Sequence, residues 1–167
     1  LLIGAQSIIN EDPLLLTSPK YLVEYLEKLE PDCFYTSVTL LRLIKAFCSK
    51  GVTMYDYLKK KEKAFCLNRI GSCGEPLAHS VGDWAIKFFM PLRKSIVNTY
   101  FQTETGGILV APRDEDQPPN DFSCVGKPNR DLKIVVANQI KSKEQLENEK
   151  IDPNELLICE PWDGIFQ

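Results

Sequence analysis

The chain has 167 residues, enough for one well-buried domain or for a large piece of a bigger one. Hydrophobic residues make up 44% and charged residues 26%, which is the composition of an ordinary soluble globular protein. The net charge is −3 and charges of both signs are interleaved along most of the chain, so no basic face is available and we expect no nucleic-acid partner.

Six cysteines are widely spaced, and most of them lie in apolar runs. The sequence has no C-x-x-C pair and only one histidine, which argues against a closed zinc site. Scattered cysteines on apolar faces are typical of free thiols in a reducing compartment. We therefore expect a cytoplasmic protein.

Both ends of the sequence suggest a chain cut from the middle of a longer one. The beginning has no initiator Met and no basic region, and its apolar run is too short for a signal peptide or a membrane span, so we expect no membrane partner. The end, residues 161–167, stops abruptly after an apolar strand. We expect an internal fragment.

The first half of the chain alternates helical and strand patterns. Ser18 and Pro19 suit the N-cap and the first position of a helix, and apolar residues recur at helical spacing until Pro31. A short apolar run over residues 32–36 predicts a strand. Alternation at this spacing favours a parallel sheet wrapped by helices.

A second helix is predicted over residues 39–48 and is expected to end at Gly51. The basic run over residues 59–63 is typical of a solvated linker. The residues expected on the buried face of this second helix are Leu40, Leu43, Ile44 and Phe47.

Residues 66–70 predict the next strand, and the loop 71–76 follows at its carboxyl end. A helix over residues 77–90 and a strand over residues 95–97 come next. Ligands of open α/β sheets bind outside the carboxyl ends of strands, which favours a functional role for the loop 71–76. If the two strands are neighbours, this loop lies beside residues 98–107. The helix is expected to bury Val81, Trp84, Ala85, Phe88 and Phe89.

Beyond Pro112 the sequence changes character. Residues 113–120 predict a charged surface loop, and residues 141–150 form a long charged excursion. The pattern is typical of a small antiparallel barrel or sheet, so we divide the chain into residues 1–111 and 112–167. The short β-rich runs are residues 122–126, 132–137 and 156–159.

Residues 98–107 (NTYFQTETGG) emerge where a predicted strand ends. Glycines let a backbone approach a ligand closely, threonine hydroxyls bond phosphate oxygens, and a carboxylate such as Glu104 can hold a hard cation that keeps most of its waters. This composition suits a phosphate and metal site. A polar hairpin turn explains the same residues equally well.

Two residues of the loop 71–76 have alternative interpretations. Cys73 and His79 could form a catalytic pair, but the nucleophile pattern G-x-S-x-G is not matched, and a small side chain that lines or supports a pocket is the better interpretation. Glu75 is either an acid at a helix N-terminus or a residue whose backbone lines a nucleotide site.

Residues 98–107 and the upstream segment 71–76 (GSCGEP) together strongly resemble the adenylate-forming (acyl-CoA synthetase) superfamily, and most closely the acetyl-coenzyme A synthetases. Residues 34–42 (FYTSVTLLR) are similar to the Y-T-A-P-T-x-x-R segment of that family, and residues 161–164 (PWDG) to its P-W-P-G. The resemblance runs in order from about Gly4 to the last residue.

The resemblance implies a two-step reaction. Acetate attacks the α-phosphate of ATP to give acetyl-adenylate and pyrophosphate, and the thiol of coenzyme A then displaces AMP. The implied cofactors are ATP, Mg²⁺ and coenzyme A. The implied small-molecule partners are ATP, coenzyme A and acetate or a similar short acid.

Matching positions imply a role for each residue of two segments. In the first segment, Gly74, Glu75 and Pro76 line the adenine and ribose side of the site. In the second segment, residues 98–103 bind the nucleotide, and Asn98 faces the adenine amino group.

Thr103 and Glu104 are the implied catalytic residues. Thr103 bonds the α-phosphate, and Glu104 helps to hold magnesium. The other nucleotide-binding positions of this segment are Thr99, Tyr100, Phe101 and Gln102.

The acyl pocket is where the sequence departs from the acetate enzymes, which usually have Asp-Thr-Trp-Trp before the Gln. Asn98 replaces the Asp, Tyr100 and Phe101 replace both tryptophans, and Cys73 stands where valine is usual. Phe101 and Cys73 leave space for about one more methylene, which changes selectivity by only ~1–3 kcal/mol. We expect acetate to be preferred and propionate to be tolerated.

The implied fold is α/β: part of a doubly wound, mainly parallel sheet with flanking helices, followed by part of a small β-barrel subdomain. The family's phosphate-binding loop would lie upstream of Leu1, and its ribose-binding aspartate and its catalytic lysine downstream of Gln167. We therefore expect residues 1–167 alone to fold without turnover. The alternatives are a ligase for another short-chain acid and a non-catalytic nucleotide-binding module.

Overall fold

The structure is a computed structural model that describes residues 4–13, 17–58, 67–89, 96–112, 122 and 124–160. Within these residues no helix is long and apolar enough to cross a membrane. The helices are α1 (Pro19–Leu29), α2 (Val38–Phe47), α3 (Met54–Leu58), α4 (His79–Phe89) and α5 (Lys143–Glu149). The strands are β1 (Cys33–Ser37), β2 (Arg69–Cys73), β3 (Val97–Asn98), β4 (Val110–Ala111), β5 (Lys127–Pro128), β6 (Ile134–Val136) and β7 (Leu156–Ile158).

The first half contains a three-stranded parallel sheet in the order β1-β2-β3, as the alternating pattern predicts. Side chains alternate between the faces of a sheet, so the register sorts them into two sets. Thr36, Ser72 and Asn98 share the buried face, on which helices α1 to α4 and the main apolar core pack. Tyr35 and Gly71 lie on the opposite face.

Helix α1 confirms its predicted start. The Ser18 hydroxyl accepts a hydrogen bond from the backbone N–H of Tyr21 at 3.2 Å, and Pro19 occupies the first turn, where its missing N–H costs nothing. The helix ends as Glu30 adopts a left-handed conformation at φ 46°. Its buried face holds Leu22, Val23 and Leu26.

The predicted buried face of α2 is right for Ile44 and partly right for Leu40, which packs against the core, but wrong for Leu43 and Phe47. Leu43 and Phe47 are 38% and 54% exposed, whereas Val38, Leu41 and Ile44 are fully buried. The helix starts directly at the end of β1, where the Ser37 hydroxyl caps it by accepting from the Leu40 N–H at 3.1 Å. Val38 therefore enters the core first, and the positions three and six residues later follow it.

Strand β2 lies three residues later than predicted, because Gly71, Ser72 and Cys73 belong to the strand and not to the loop. The ring of Tyr35 packs over Gly71, so closely that a Cβ at this position would lie 2.3 Å from Tyr35 Cδ2. A small residue is therefore required in the middle of the sheet. Cys66 and the basic run 59–63 lie outside the described residues.

Helix α4 confirms the predicted inward residues, with Val81, Ala85, Phe88 and Phe89 buried. Trp84 is partly buried and stacks on Phe88 with ring centroids 5.0 Å apart. The last strand of the sheet comprises Val97–Asn98, at the end of the predicted run, whose first residue lies outside the described residues.

The second half forms two antiparallel pairs, β4 with β5 and β6 with β7, in agreement with the predicted antiparallel character. The run 122–126 contributes no described strand, and β5 follows it instead. Gly126 has φ +92°, and a Cβ there would meet the Pro112 backbone at 2.4 Å. This close approach replaces regular strand geometry. The surface loop predicted over 113–120 lies outside the described residues.

Helix α5 is an element that the sequence interpretation missed within the charged excursion 141–150. The Ser142 hydroxyl and the Gln145 side chain each accept from the other residue's backbone N–H, at 3.3 and 2.8 Å, and form a capping box. Leu146 is the only apolar residue of this helix, and its side chain is buried. The division at residue 112 stays a prediction, and β4, before it, pairs with β5, after it.

We predict that Gly71→Ala destabilises the protein by about 1–3 kcal/mol, because the new methyl group collides with the Tyr35 ring. Urea unfolding of the variant and of the wild-type protein measures this difference. In a Tyr35→Ala background the same substitution lowers the free energy of unfolding by less, since the ring is absent. An equal cost in both backgrounds would contradict the packing that we describe.

Candidate functional site

Two strand-end loops lie side by side, as the sequence predicts. β2 and β3 are neighbours and parallel, with Gly71 opposite Val97 and Ser72 opposite Asn98. The ladder continues for one more residue, since the Thr99 N–H donates to the Ser72 carbonyl at 2.9 Å. The carboxyl ends of both strands therefore meet at one edge, which is where open α/β sheets bind ligands.

Asn98 is engaged inside the fold on the covered face of the sheet. Its side chain is 3% exposed, its Oδ1 accepts from the Ser72 hydroxyl at 3.1 Å, and its Nδ2 donates to the Phe122 carbonyl at 3.2 Å. Both ends of the amide thus have a protein partner, as a buried amide requires. The carbonyl oxygen retains its second lone pair as an acceptor.

On the opposite face, Tyr35 reaches across β2 to the end of β3. The Thr99 hydroxyl donates to the Ser72 carbonyl at 3.0 Å and also shares a hydrogen bond of 2.6 Å with the Tyr35 hydroxyl. Burial raises the pKa of the Tyr35 hydroxyl, the hydrogen bond with Thr99 lowers it, and the neighbouring Cys73 raises it. The net direction of the pKa shift is upward, so the phenol stays neutral at physiological pH.

Cys73 and His79 do not meet in the described contacts. The Cys73 thiol donates to the Thr36 carbonyl at 3.8 Å, while His79 Nδ1 lies 3.6 Å from an Asp83 carboxylate oxygen. The His79 ring packs edge-on against Phe122 with centroids 5.2 Å apart. The interpretation of Cys73 as a small side chain that lines or supports a pocket stays a prediction.

The segment 100–110 leaves the sheet and returns to it. The Tyr100 N–H donates to the Val110 carbonyl at 2.9 Å, and the Leu109 N–H donates to the Tyr100 carbonyl at 3.0 Å. Between these closing bonds lies a 3₁₀ turn over Thr103–Thr105. The turn ends at Gly106 with φ +68°, a conformation that glycine adopts without strain.

Thr105 holds this loop from the inside. It is 7% exposed, and its hydroxyl donates to the Gln102 carbonyl at 2.8 Å and accepts from the Gln102 N–H at 3.1 Å. Phe101, Gln102, Thr103 and Glu104 are left on the outer surface, with Phe101 40% exposed. We call residues 101–104 the exposed strip.

The carboxylate of Glu75 is tied to helix α2. One oxygen accepts from the Thr39 hydroxyl at 2.6 Å, and the other accepts from Arg42 Nη2 at 2.5 Å. The first turn of α4 contains no acidic residue, so the interpretation of Glu75 as a helix N-terminal acid is wrong. With the carboxylate directed to α2, Gly74 and Pro76 are the exposed positions of this loop.

Sequence reasoning missed four residues that build this edge: Tyr35, Thr39, Arg42 and Thr105. Thr39 and Arg42 are three residues apart on one helix, a spacing that places two polar side chains on the same side. Thr105 stands between two site candidates and looks like a third exposed hydroxyl in the sequence. Only the fold shows that it is internal.

The assignment of magnesium to Glu104 stays a prediction. Nowhere in the described part of the chain do three His, Cys, Asp or Glu side chains converge as a metal cluster. Mg²⁺ usually keeps several waters and binds through one or two carboxylates and the phosphates of a substrate. The exposed carboxylate of Glu104 fits that donor set, and the described residues form no closed all-protein site.

Comparison with known proteins places the chain among adenylate-forming enzymes. The family model described as AMP-binding enzyme matches residues 1–161. The chain is similar to a human protein named acetyl-coenzyme A synthetase 2-like, mitochondrial, with 31% identity over 68% of the chain and 16% of that protein. It is also similar to an acetyl-coenzyme A synthetase of Magnetococcus marinus, with 31% identity over 98% of the chain and 24% of that enzyme.

A solved structure shares the fold. The anthranilate CoA ligase AuaEII, crystallised in complex with anthranoyl-AMP, superposes with a TM-score of 0.58 at 16% identity over 85% of the chain and 23% of the ligase. The predicted α/β fold class is confirmed. The chain thus spans about a quarter or less of the length of these relatives.

The hydrogen bond from Thr39 is the largest cause that lowers the pKa of Glu75 below its ordinary value of 4.5; burial opposes it, and the charge and hydrogen bond of Arg42 lower the pKa further. A lowered carboxyl pKa contributes stability that is present above the ordinary value and is lost as the pH falls through the folded value. We predict that the melting temperatures of the wild-type protein and Glu75→Gln differ only slightly above about pH 5, because the ion pair is exposed, and that this small difference disappears on acidification. A difference in melting temperature that does not change with pH would contradict an ionised Glu75 carboxylate held by Thr39 and Arg42.

Proposed function

The chain belongs to the family of AMP-binding enzymes. From this premise we propose that the protein is an ATP-dependent acid–thiol ligase of the acetate–coenzyme A type. The reaction converts acetate, ATP and coenzyme A into acetyl-CoA, AMP and pyrophosphate, with acetyl-adenylate as the intermediate. ATP, coenzyme A and a short carboxylic acid are the substrates, and Mg²⁺ accompanies ATP.

One observation carries the proposal. The pairing of β2 with β3 brings the loop 74–76 and the exposed strip to the same edge of a parallel sheet. One loop presents backbone next to a glycine at φ +91°, and the other presents an aromatic ring, a hydroxyl and a carboxylate on its surface. A nucleotide suits these two surfaces, because a flat adenine packs against backbone and a charged phosphate chain binds hydroxyl groups and a carboxylate-held metal ion.

In this proposal each residue of the edge has a stated task. Gly74, Glu75 and Pro76 contact adenine and ribose through backbone and ring surfaces. The Thr103 hydroxyl donates to an oxygen of the α-phosphate. When bound, Mg²⁺ supplies positive charge to the phosphate oxygens, and Glu104 is the carboxylate that would hold it.

Asn98 takes a double role. Its amide nitrogen binds the Phe122 carbonyl and its oxygen binds Ser72, so it first fixes the end of β3. The second lone pair of the same oxygen accepts from the adenine amino group. Thr99, Tyr100 and Gln102 complete the nucleotide-binding segment, with Thr99 held by Tyr35.

We assign acid selectivity to Phe101 and Cys73. Phe101 is 40% exposed, and Cys73 is partly buried beside Tyr35. One methylene in an apolar pocket changes binding by ~1–3 kcal/mol, so acetate is preferred and propionate is accepted. A preference for another short acid, or nucleotide binding without turnover, is the alternative outcome.

The location of the protein and its division into parts are also proposals. Cys33, Cys48, Cys73, Cys124 and Cys159 are free thiols, which is consistent with the reducing cytoplasm. We divide the chain into a partial α/β unit over residues 1–111 and a partial barrel unit over 112–167. Nucleic-acid and membrane partners are not part of the proposal.

We predict that Glu104→Gln and Thr103→Val lower the rate of acetate-dependent ATP–pyrophosphate exchange by about a hundredfold, because each loses a contact to developing phosphate charge. The protein made from the complete open reading frame is used. Glu144→Gln on α5 is the matched control, since this exposed carboxylate lies outside the site. Equal rates in Glu104→Gln and the control would contradict the assigned role.

A panel of acetate, propionate and butyrate tests the acid specificity through kcat/KM. We predict that efficiency falls from acetate to propionate by about tenfold and falls further for butyrate. Phe101→Trp narrows the pocket and widens the gap between acetate and propionate. Comparable kcat/KM values for acetate and butyrate in the wild-type protein would contradict the proposed preference for acetate.

A further inference from the structure

We propose that Thr39 and Arg42 of α2 are positioning residues for the nucleotide. Through the Glu75 carboxylate they fix the backbone of the loop 74–76 in the conformation that the nucleotide contacts. The inference rests on the proposed function of this loop and adds two residues outside it. Neither Thr39 nor Arg42 needs to touch the substrate.

The two donors reach Glu75 from a rigid platform. Thr39 donates at 2.6 Å to one carboxylate oxygen and Arg42 at 2.5 Å to the other, so both oxygens are held. Helix α2 is anchored in turn, because its residues Val38, Leu41 and Ile44 are fully buried. The position of Glu75 is therefore set by the main core of the protein.

In the described contacts, the loop 74–76 is held by the Glu75 side chain and, at its end, by the buried Leu77. Gly74 adopts φ +91°, and open space surrounds the position that its Cβ would occupy. Pro76 has no backbone N–H to donate. Glycine gives the chain its turn but also the freedom to leave it, so the side chain of Glu75 supplies the restraint.

The energy of this clasp favours a role in geometry over one in stability. The side chains of Arg42 and Glu75 are 50% and 28% exposed, and ion pairs this exposed contribute little to the free energy of folding. Hydrogen bonds to an ionised carboxylate are short and directional, however. A clasp of this kind holds a loop in place without adding much to the melting temperature.

The same side of α2 offers a matched control. Lys45 lies three residues after Arg42, and its Nζ donates at 2.7 Å to the Ser80 carbonyl in the first turn of α4. Lys45 is thus a cation that tethers α2 to the next helix and not to the loop. Lys45→Met removes a cation that tethers the same helix while it leaves Glu75 untouched.

The test compares Thr39→Val, Arg42→Met, Arg42→Lys and Lys45→Met in the protein made from the complete open reading frame. We expect Arg42→Met and Thr39→Val to raise KM for ATP about tenfold, because misplaced binding groups lose contact with the nucleotide. KM for the acid and the melting temperature change little. In Arg42→Lys, KM for ATP rises less than in Arg42→Met, because lysine keeps the positive charge. In Lys45→Met, KM for ATP does not change.

A double-mutant cycle shows whether the effect passes through Glu75. Arg42→Met combined with Glu75→Gln should raise KM for ATP no more than the larger of the two single effects, since both break one clasp. Independent, multiplicative effects would contradict the proposal. So would an unchanged KM for ATP in Arg42→Met, or equal losses in every kinetic constant together with a lower melting temperature.

Calorimetric titration with AMP separates this inference from the ligase proposal. Weaker AMP binding in Arg42→Met, in a protein that shows no acid-dependent exchange, supports the positioning role and contradicts the ligase activity. Normal acid-dependent exchange in the wild-type protein, together with unchanged AMP affinity in Arg42→Met, supports the ligase activity and contradicts the positioning role. Absence of AMP binding to the wild-type protein overturns both.

Discussion

The parallel pairing of β2 with β3 is the constraint on which the site depends. It places Ser72 beside Asn98, and so brings two loops that are more than twenty residues apart in sequence to one edge of the sheet. The pairing requires small residues in the central strand, because Tyr35 from β1 crosses over Gly71 to reach Thr99. Packing on one face of the sheet thus determines the geometry of the ligand edge.

The polar residues of the site divide into two groups with different physical tasks. Ser72, Asn98, Thr99 and Thr105 are buried, and their hydrogen bonds satisfy one another and the backbone. The residues of the exposed strip face outward because the buried group holds the backbone beneath them. Pre-organisation of this kind lets a site bind charge without first reorganising itself.

The sequence predicted the fold class, the first helix with its cap, the inward face of α4 and the proximity of the two loops. These features depend on local patterns, such as Ser18 before Pro19, or on strand order in α/β sheets. The errors arose where tertiary packing overrides pattern. The sequence of Gly71 to Cys73 is typical of a loop, but these residues form a strand in which Tyr35 covers the glycine. Leu43 and Phe47 have helical spacing but lie on the exposed side of α2.

The site itself could be predicted by residue type but not by partner. Glu75 was identified, yet its ties to Thr39 and Arg42 join residues more than thirty positions apart and leave no local signal. The central claim, that the loop 74–76 and the exposed strip form one nucleotide site, is tested most directly by amide hydrogen exchange with and without AMP and Mg²⁺. The account predicts that exchange slows in both segments together while α5 is unaffected. Slowing in neither segment, or in one alone, at saturating AMP would contradict it.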